Sequence, residues 1–266
     1  MQVVCLFFFT RVKIRDIIKE KRDFNMKILS IGNSFSEDAH RYLAKIADNM
    51  GINLKCVNMC IGGCTLERHY KNMLSGEADY LLQINGKSIS EGHSFEEILA
   101  LEKWDVITLQ EASVRSVNVD NYLPYVVKIA DFLRQRCPDA KIAIHQTWGY
   151  ESGIERIRNL GFESQGEMFS KVKEAVSYAF DATGLDFIIP SGEVMQALAD
   201  NGYKVHRDGF HASRGIGRYA LSLCWIEKFF GISTVGNGFS DFEEEITPED
   251  IATVEKVVHN IVINAK

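Results

Sequence analysis

The sequence lacks any apolar stretch long enough to cross a bilayer, and it has only four prolines among 266 residues. A transmembrane helix needs roughly 20 consecutive apolar residues, whereas the apolar run near the start spans only residues 2–9. The sequence therefore predicts no integral membrane segment. It also lacks internal repeats, Pro-rich linkers and low-complexity blocks, so its length favours one large domain over two small ones.

Positive charge is scarce as well, because 30 Lys and Arg are outnumbered by 36 Asp and Glu, which gives a net charge of −6. A nucleic-acid backbone is bound by clustered Lys and Arg, so no nucleic-acid partner is expected. Hydrophobic residues make up 46% of the chain and aromatic residues 11%. This composition supplies a substantial core and excludes global disorder.

Cysteine is sparse and irregularly spaced, with no C-x-x-C pair and no Cys/His spacing typical of zinc. The pattern favours buried or free thiols in a reducing compartment, with a single disulfide as the alternative. The six cysteines are at positions 5, 56, 60, 64, 137 and 224.

The first 25 residues differ from the rest of the chain. A secretory signal carries its positive charge before the apolar run, but here Arg11 and Arg15 follow it. Met26 opens directly into the first strand pattern, so we expect residues 1–25 to be an extension and residues 26–266 to form the domain. A start at Met26 favours a cytoplasmic protein. The alternatives are an atypical signal, with a secreted or periplasmic protein, and a membrane-associating helix.

Short apolar runs rich in Val, Ile and Leu alternate with longer amphipathic segments along the chain. Strands that are apolar on both faces and separated by helices form parallel sheets covered by helices on both sides. The pattern therefore predicts an α/β fold, a three-layer α/β/α sandwich around a five-stranded parallel sheet. The predicted strands are Lys27–Gly32, Asn53–Val57, Asp105–Gln110, Lys141–Thr147 and Asp186–Pro190, and the predicted helices span about 37–50, 120–136, 166–183, 213–230 and 248–264.

Residues 71–100 break this alternation, because they are mostly polar and contain Asn85-Gly86, a dipeptide typical of hairpin turns. A short apolar segment, Phe95–Leu101, predicts a helix at the end of this insertion. Ligands of parallel sheets bind beyond the carboxyl ends of the strands. We therefore expect the insertion to roof that edge of the sheet.

The first strand is followed at that edge by Gly32-Asn33-Ser34-Phe35-Ser36. Glycine permits a sharp turn out of the strand, and a serine at the start of the next helix can act as a nucleophile. A serine in such a position is more commonly a helix N-cap, and Ser36 fits that role before a helix beginning at Glu37. This motif alone leaves both interpretations open.

Far downstream, Asp208 precedes His211 by three residues in a loop that leads into a helix. This spacing allows the carboxylate to bind the Nδ1–H of the imidazole and leaves Nε2 as the base for a serine. A solvated loop is one alternative, and a metal site with His206, Asp208 and His211 as ligands is another. The triad interpretation is favoured because it also explains Ser34 and the glycines after the second strand.

Three further candidates lie just after predicted strands. Gly62-Gly63 follows the second strand and allows backbone N–H groups to approach a substrate oxygen, although a plain turn uses the same residues. Gln110 and Glu111 end the third strand and place an amide donor and a carboxylate at the same edge. Trp148 follows the fourth strand, where its ring would either stack on a sugar or pack in the core. Glu111 and Trp148 are thus candidate substrate-binding residues.

In this chain order the Gly-x-Ser, Gly-Gly, amide and Asp-x-x-His elements resemble the SGNH/GDSL hydrolase superfamily. The similarity is greatest to a bacterial branch with G-N-S-F-S in the first block and a glutamine in the third, and it extends from Lys27 to about Phe230. The resemblance implies a flavodoxin-like α/β/α sandwich. It also implies ester hydrolysis without a metal or cofactor, on substrates that include acetylated sugars, lipids and thioesters.

By this resemblance Ser34 is the nucleophile, His211 the base and Asp208 the residue that orients the base. Gly63 matches the second-block donor of the oxyanion hole, to which the Ser34 N–H also contributes. The third block departs from the family, because Gln110 occupies the position of an asparagine and reaches one methylene further. Gln110 is the third expected oxyanion donor.

The first block departs as well, with Asn33 in place of the usual aspartate, a change expected to alter a turn hydrogen bond. The expected function is hydrolysis of a small-molecule or oligosaccharide ester, with deacetylation of a carbohydrate favoured. A short-chain carboxylesterase, a lysophospholipase and a thioesterase are the alternatives. A non-catalytic carbohydrate- or partner-binding relative is the alternative from another functional class.

Overall fold

The computed structural model describes residues 26–265, so the expected extension at residues 1–25 lies outside the described residues. Within the described range, no helix is both long enough and apolar enough to cross a membrane. The five cysteines of this range are all free thiols.

A seven-stranded mixed sheet forms the centre of the fold, in the order β4-β3-β2-β1-β5-β6-β7. The strands β2, β1, β5, β6 and β7 are parallel, whereas β3 and β4 pair antiparallel with their neighbours. The strands are β1 Met26–Gly32, β2 Leu54–Cys60, β3 Tyr80–Ile84, β4 Lys87–His93, β5 Val106–Leu109, β6 Lys141–His145 and β7 Phe187–Ile189.

The five predicted strands are confirmed, but the prediction of a five-stranded parallel sheet was wrong, because the segment 71–100 adds two strands. These form a hairpin that turns at Asn85 and Gly86, both of which have positive φ angles. The turn packs beside the backbone of His40 and Arg41, where a Cβ on Gly86 would lie 2.8 Å from the His40 carbonyl oxygen. This hairpin widens the sheet instead of roofing its carboxyl edge.

Eleven helices surround the sheet in the described range, and two predicted helices are each divided in two. Pro124 separates the pair within 120–136, since a proline has no N–H to continue a helix. The helices are α1 Ser34–His40, α2 Leu43–Asn49, α3 Leu66–Ser75, α4 Phe95–Leu99, α5 Val119–Tyr122, α6 Tyr125–Arg136, α7 Glu155–Asn159, α8 Gln165–Thr183, α9 Ser191–Asp200, α10 Ile216–Phe230 and α11 Pro248–Asn264.

The helices form a layer on each face of the sheet, and each layer encloses its own hydrophobic core. Alternate strand residues point to opposite faces, so Ile28 belongs to one core and Leu29 to the other. Helices α1, α2, α9, α10 and α11 cover the first core, and helices α3 to α6 and α8 cover the second. The molecule is therefore a three-layer α/β/α sandwich whose loops meet at the carboxyl edge of the parallel strands.

Candidate active site

Ser34 is the first residue of α1, directly after the turn that leaves β1. The N-cap of this helix is Asn33, whose side-chain oxygen accepts a hydrogen bond from the Phe35 N–H at 3.0 Å. The interpretation of Ser36 as the N-cap was therefore wrong, because the helix begins three residues earlier than Glu37. A Cβ on Gly32 would lie 2.3 Å from the Ser36 hydroxyl, so the tight turn requires a glycine there.

A continuous line of hydrogen bonds joins Ser34, His211 and Asp208. The Ser34 hydroxyl lies 2.9 Å from His211 Nε2, and His211 Nδ1 lies 2.7 Å from Asp208 Oδ2. Asp208 Oδ1 also accepts the backbone N–H of His211 at 2.9 Å. Because the carboxylate holds the proton on Nδ1, the Nε2 atom is left to accept the hydroxyl proton.

The pKa of Asp208 reflects this arrangement. Partial burial raises the pKa, but hydrogen bonds from the ring and the backbone of His211 outweigh that effect, so the pKa lies below its ordinary value. The carboxylate therefore remains ionised and can stabilise an imidazolium at His211.

Asp38 connects the two distant parts of this triad. It lies on α1, one turn after Ser34, and its carboxylate is buried. Oδ1 binds Arg207 Nη1 and Arg218 Nε at 2.8 Å each, while Oδ2 accepts the backbone N–H of Ala212 at 3.1 Å. The loop that carries Asp208 and His211 is thereby fixed to the helix that carries the serine. Sequence reasoning missed this residue, since nothing local distinguishes a buried aspartate from a solvated one.

The Gly63 turn follows β2 and is bonded to the residue before Ser34. Gly63 has a φ of 62°, a left-handed conformation that favours glycine. Asn33 Nδ2 donates to the Cys64 carbonyl at 3.0 Å and so binds this turn to the start of α1. An aspartate side chain at position 33 has no N–H to donate in this bond, which gives the asparagine a structural role.

Gln110 is buried between the ends of β1 and β6. Its Nε2 donates to Asn33 Oδ1 at 2.6 Å, and its Oε1 lies 2.7 Å from His145 Nδ1. Burial lowers the pKa of His145 to about 3, so this ring is neutral and Nδ1–H is the donor to Oε1. A primary amide has two hydrogens, and Asn33 takes one of those on Gln110. Sequence reasoning missed His145, although its position at the end of a strand was a usable signal.

Glu111 lies inside the protein and does not face a substrate. Its Oε1 accepts N–H groups of Ala112 at 2.6 Å and Leu66 at 3.3 Å, and the residue is 0% exposed. Burial raises the pKa of Glu111 to about 7. The side chain thus joins the loop after β5 to the start of α3, and its expected role in substrate binding does not fit this burial.

Trp148 is also fully buried, with a relative exposure of 0%. Its ring stacks on Phe35 with ring centres 4.0 Å apart and planes 9° apart, and its Nε1 donates to the Phe210 carbonyl at 2.8 Å. No ring face is open to a sugar, so the packing alternative describes this residue. Trp148 supports the residues that flank Ser34 and His211.

His206 binds a backbone carbonyl group. The ring is buried, and Nε2 lies 3.0 Å from the carbonyl oxygen of Gly149, so it stabilises the loop before Asp208. Among residues 26–265, no group of three or more His, Cys, Asp or Glu side chains is arranged to hold a metal ion.

The comparisons with known proteins agree with this architecture. The model of a family described as a domain of unknown function, DUF4886, matches residues 27–260. A crystal structure of a DUF4886 family protein from Bacteroides uniformis is 32% identical, with a TM-score of 0.83, and the match covers 90% of this chain and 95% of that chain. None of the curated proteins matches significantly.

More distant solved structures share the fold. A proposed SGNH hydrolase from Slackia heliotrinireducens is 21% identical with a TM-score of 0.54, covering 76% of this chain and 97% of that chain. A lipase/acylhydrolase from Enterococcus faecalis is 14% identical with a TM-score of 0.51, covering 84% of this chain and all of the other. The chain therefore belongs to the DUF4886 family and has the fold of the SGNH/GDSL hydrolases.

Proposed function

We propose that this protein hydrolyses carboxylic esters through an acyl-enzyme on Ser34. The observation that carries the proposal is the unbroken line of hydrogen bonds from Ser34 through His211 to Asp208. A serine hydroxyl becomes a strong nucleophile when a neutral imidazole takes its proton, and the aspartate stabilises the imidazolium that results. A serine that served only as a cap or in packing would not need this aligned pair.

In the proposed reaction, His211 Nε2 takes the hydroxyl proton as Ser34 Oγ attacks the ester carbonyl. The negative charge on the carbonyl oxygen is stabilised by the N–H groups of Ser34 and Gly63 and by the second amide hydrogen of Gln110. His211 then gives its proton to the alcohol oxygen, which leaves. Water attacks the acyl-enzyme with His211 again as base, and this releases the acid and restores the serine.

A fluorophosphonate probe tests this proposal directly. Such a probe phosphonylates only an activated serine, so we expect the wild type to be labelled and Ser34→Ala to show no labelling. Ser75→Ala is the matched control, since that exposed serine at the end of α3 lies outside the triad, and it should be labelled like the wild type. A folded wild-type protein that resists the probe would contradict the proposal and favour a binding role instead.

The substrate class we propose is an acetylated carbohydrate, with support from the resemblance of the first and third blocks. Trp148 is buried, so its ring cannot stack on a sugar and does not support a carbohydrate substrate. Short-chain carboxylesters, lysophospholipids and thioesters therefore remain competing substrates. Rates on p-nitrophenyl acetate, longer acyl esters, a thioester and acetylated oligosaccharides would separate them, with Ser34→Ala as the blank. Fastest turnover of long acyl chains would contradict the carbohydrate assignment.

A further inference from the structure

An arginine lies beside the triad without being part of it. The guanidinium carbon of Arg156, on α7, is 3.9 Å from the centre of the Phe210 ring and 5.4 Å from that of Tyr150. The Phe210 ring centre is 4.0 Å from that of His211. The guanidinium carbon is therefore no more than about 8 Å from the imidazole centre, within the span of one small substrate group.

The positive charge of Arg156 faces solvent and two aromatic rings. The residue is exposed, its side chain hydrogen-bonds with Tyr150, and none of the ion pairs found within residues 26–265 includes it. Stacking on the rings restricts the guanidinium while its planar edge remains able to bind two oxygens of an anion. Arg158, on the same helix, differs because it donates to the Gly153 carbonyl at 2.5 Å. Arg156 is thus a cation held in place beside the triad.

The position of Arg156 also indicates which part of an ester it would meet. His211 must protonate the leaving alcohol oxygen, so the alcohol part lies on the His211 side of the scissile bond. In the proposed oxyanion hole the carbonyl oxygen points instead toward the N–H groups of Ser34 and Gly63. Arg156 contacts Phe210, the direct neighbour of His211, which places its charge on the alcohol side.

We propose that Arg156 determines specificity by binding an anionic group, a carboxylate or a phosphate, on the alcohol portion of the ester. This inference rests on the proposed ester hydrolysis and adds a substrate feature to it. A charge-assisted, two-oxygen contact of this kind changes affinity by about tenfold at a partly solvated site.

The test compares acetate esters that differ in one charge. 4-Acetoxybenzoate is anionic on its alcohol part, 4-acetoxybenzamide is its neutral counterpart, and 4-acetoxyphenyl phosphate separates phosphate from carboxylate recognition. Arg156→Gln should lower kcat/KM for the anionic esters by about tenfold, mainly through KM, and change the neutral ester less than about twofold. Arg158→Gln, on the same helix, should leave the ratio of anionic to neutral rates unchanged. Circular dichroism of each variant confirms the fold.

Two results would overturn the inference. If Arg156→Gln slows the charged and neutral esters equally, the arginine only supports Phe210 and His211. If Arg156→Gln leaves the rates on both esters at the wild-type level, no anion is recognised there, and continued Ser34-dependent hydrolysis of the neutral ester would leave the proposed function standing. Absence of fluorophosphonate labelling at Ser34 would overturn both proposals.

Discussion

At the scale of single residues, the buried carboxyl group of Glu111 links stability to pH. Burial raises its pKa to about 7, although N–H groups of Ala112 and Leu66 lower it in part. In an unfolded chain a glutamate titrates near about 4.3. The folded protein therefore binds more protons than the unfolded chain between about pH 4.5 and 7, and the free energy of unfolding falls as the pH rises through that window.

Glu111→Gln removes this titration. We compare the free energy of unfolding of the wild type with that of Glu111→Gln. The wild-type value minus the variant value should fall by on the order of 2–3 kcal/mol between pH 4.5 and 8. Urea unfolding at several pH values measures the difference. Glu245→Gln, at an exposed glutamate, is the matched control and should follow the wild type. A difference between wild type and Glu111→Gln that does not vary with pH would contradict the prediction.

For single residues, the position along a strand could be predicted from the sequence, whereas the burial of the side chain could not. The sequence placed Gln110, Glu111 and Trp148 at strand ends, and the structure confirms those positions. Whether each side chain faces solvent depends on partners that are far away in sequence, such as Phe210, which accepts the bond from Trp148 Nε1 across 62 positions. Position at an edge was predictable from strand periodicity, but burial was not.

At the scale of elements, the contact between α1 and the loop after residue 205 depends on Asp38. Its buried carboxylate pairs with both Arg207 and Arg218, and Arg218 also pairs with Glu243. Removing Asp38 leaves Arg207 without its closest carboxylate partner, and breaking a buried pair in this way costs about 3 kcal/mol. We therefore expect Asp38→Ala to lower the free energy of unfolding by about that amount and to slow fluorophosphonate labelling, because the His211 loop loses its attachment to α1.

Asp241→Ala is the comparison for Asp38→Ala, since Asp241 pairs with Lys45 at a largely exposed position. Exposed ion pairs contribute little to stability, so this variant should match the wild type in denaturant unfolding and in labelling rate. An Asp38→Ala protein that is equally stable and equally reactive would show that the loop is held by other contacts.

The elements themselves were predictable where both faces of a strand are buried. Strands β1, β2, β5, β6 and β7 appear in the sequence as apolar runs, because both of their faces are buried. Sequence analysis therefore predicted all five. Strand β4, Lys87–His93, is mostly exposed at the edge of the sheet, so its sequence is polar and carries no strand signal. The Asn85-Gly86 turn before it was visible in the sequence, but the pairing of the hairpin with β2, which is made by β3, depends on tertiary contacts.

At the scale of the whole molecule, the site exists only when two distant segments of the chain meet. Ser34 and His211 are 177 positions apart, and the sheet with helices α1 and α10 brings them together. Such a site should be lost with the fold as one cooperative unit, as is usual when a single domain unfolds. The sequence indicated this meeting through the order of its motifs, although each motif alone was ambiguous.

The prediction at this scale is that reactivity and fold disappear together. In increasing urea, the fraction of Ser34 labelled by a fluorophosphonate in a short pulse should fall at the same midpoint as the circular dichroism signal. The control is Asp38→Ala, in which the labelling midpoint should shift to lower urea together with the unfolding midpoint. Labelling lost well before the wild type unfolds would contradict this prediction, because the loop of Asp208 and His211 would then open locally while the sheet remains intact.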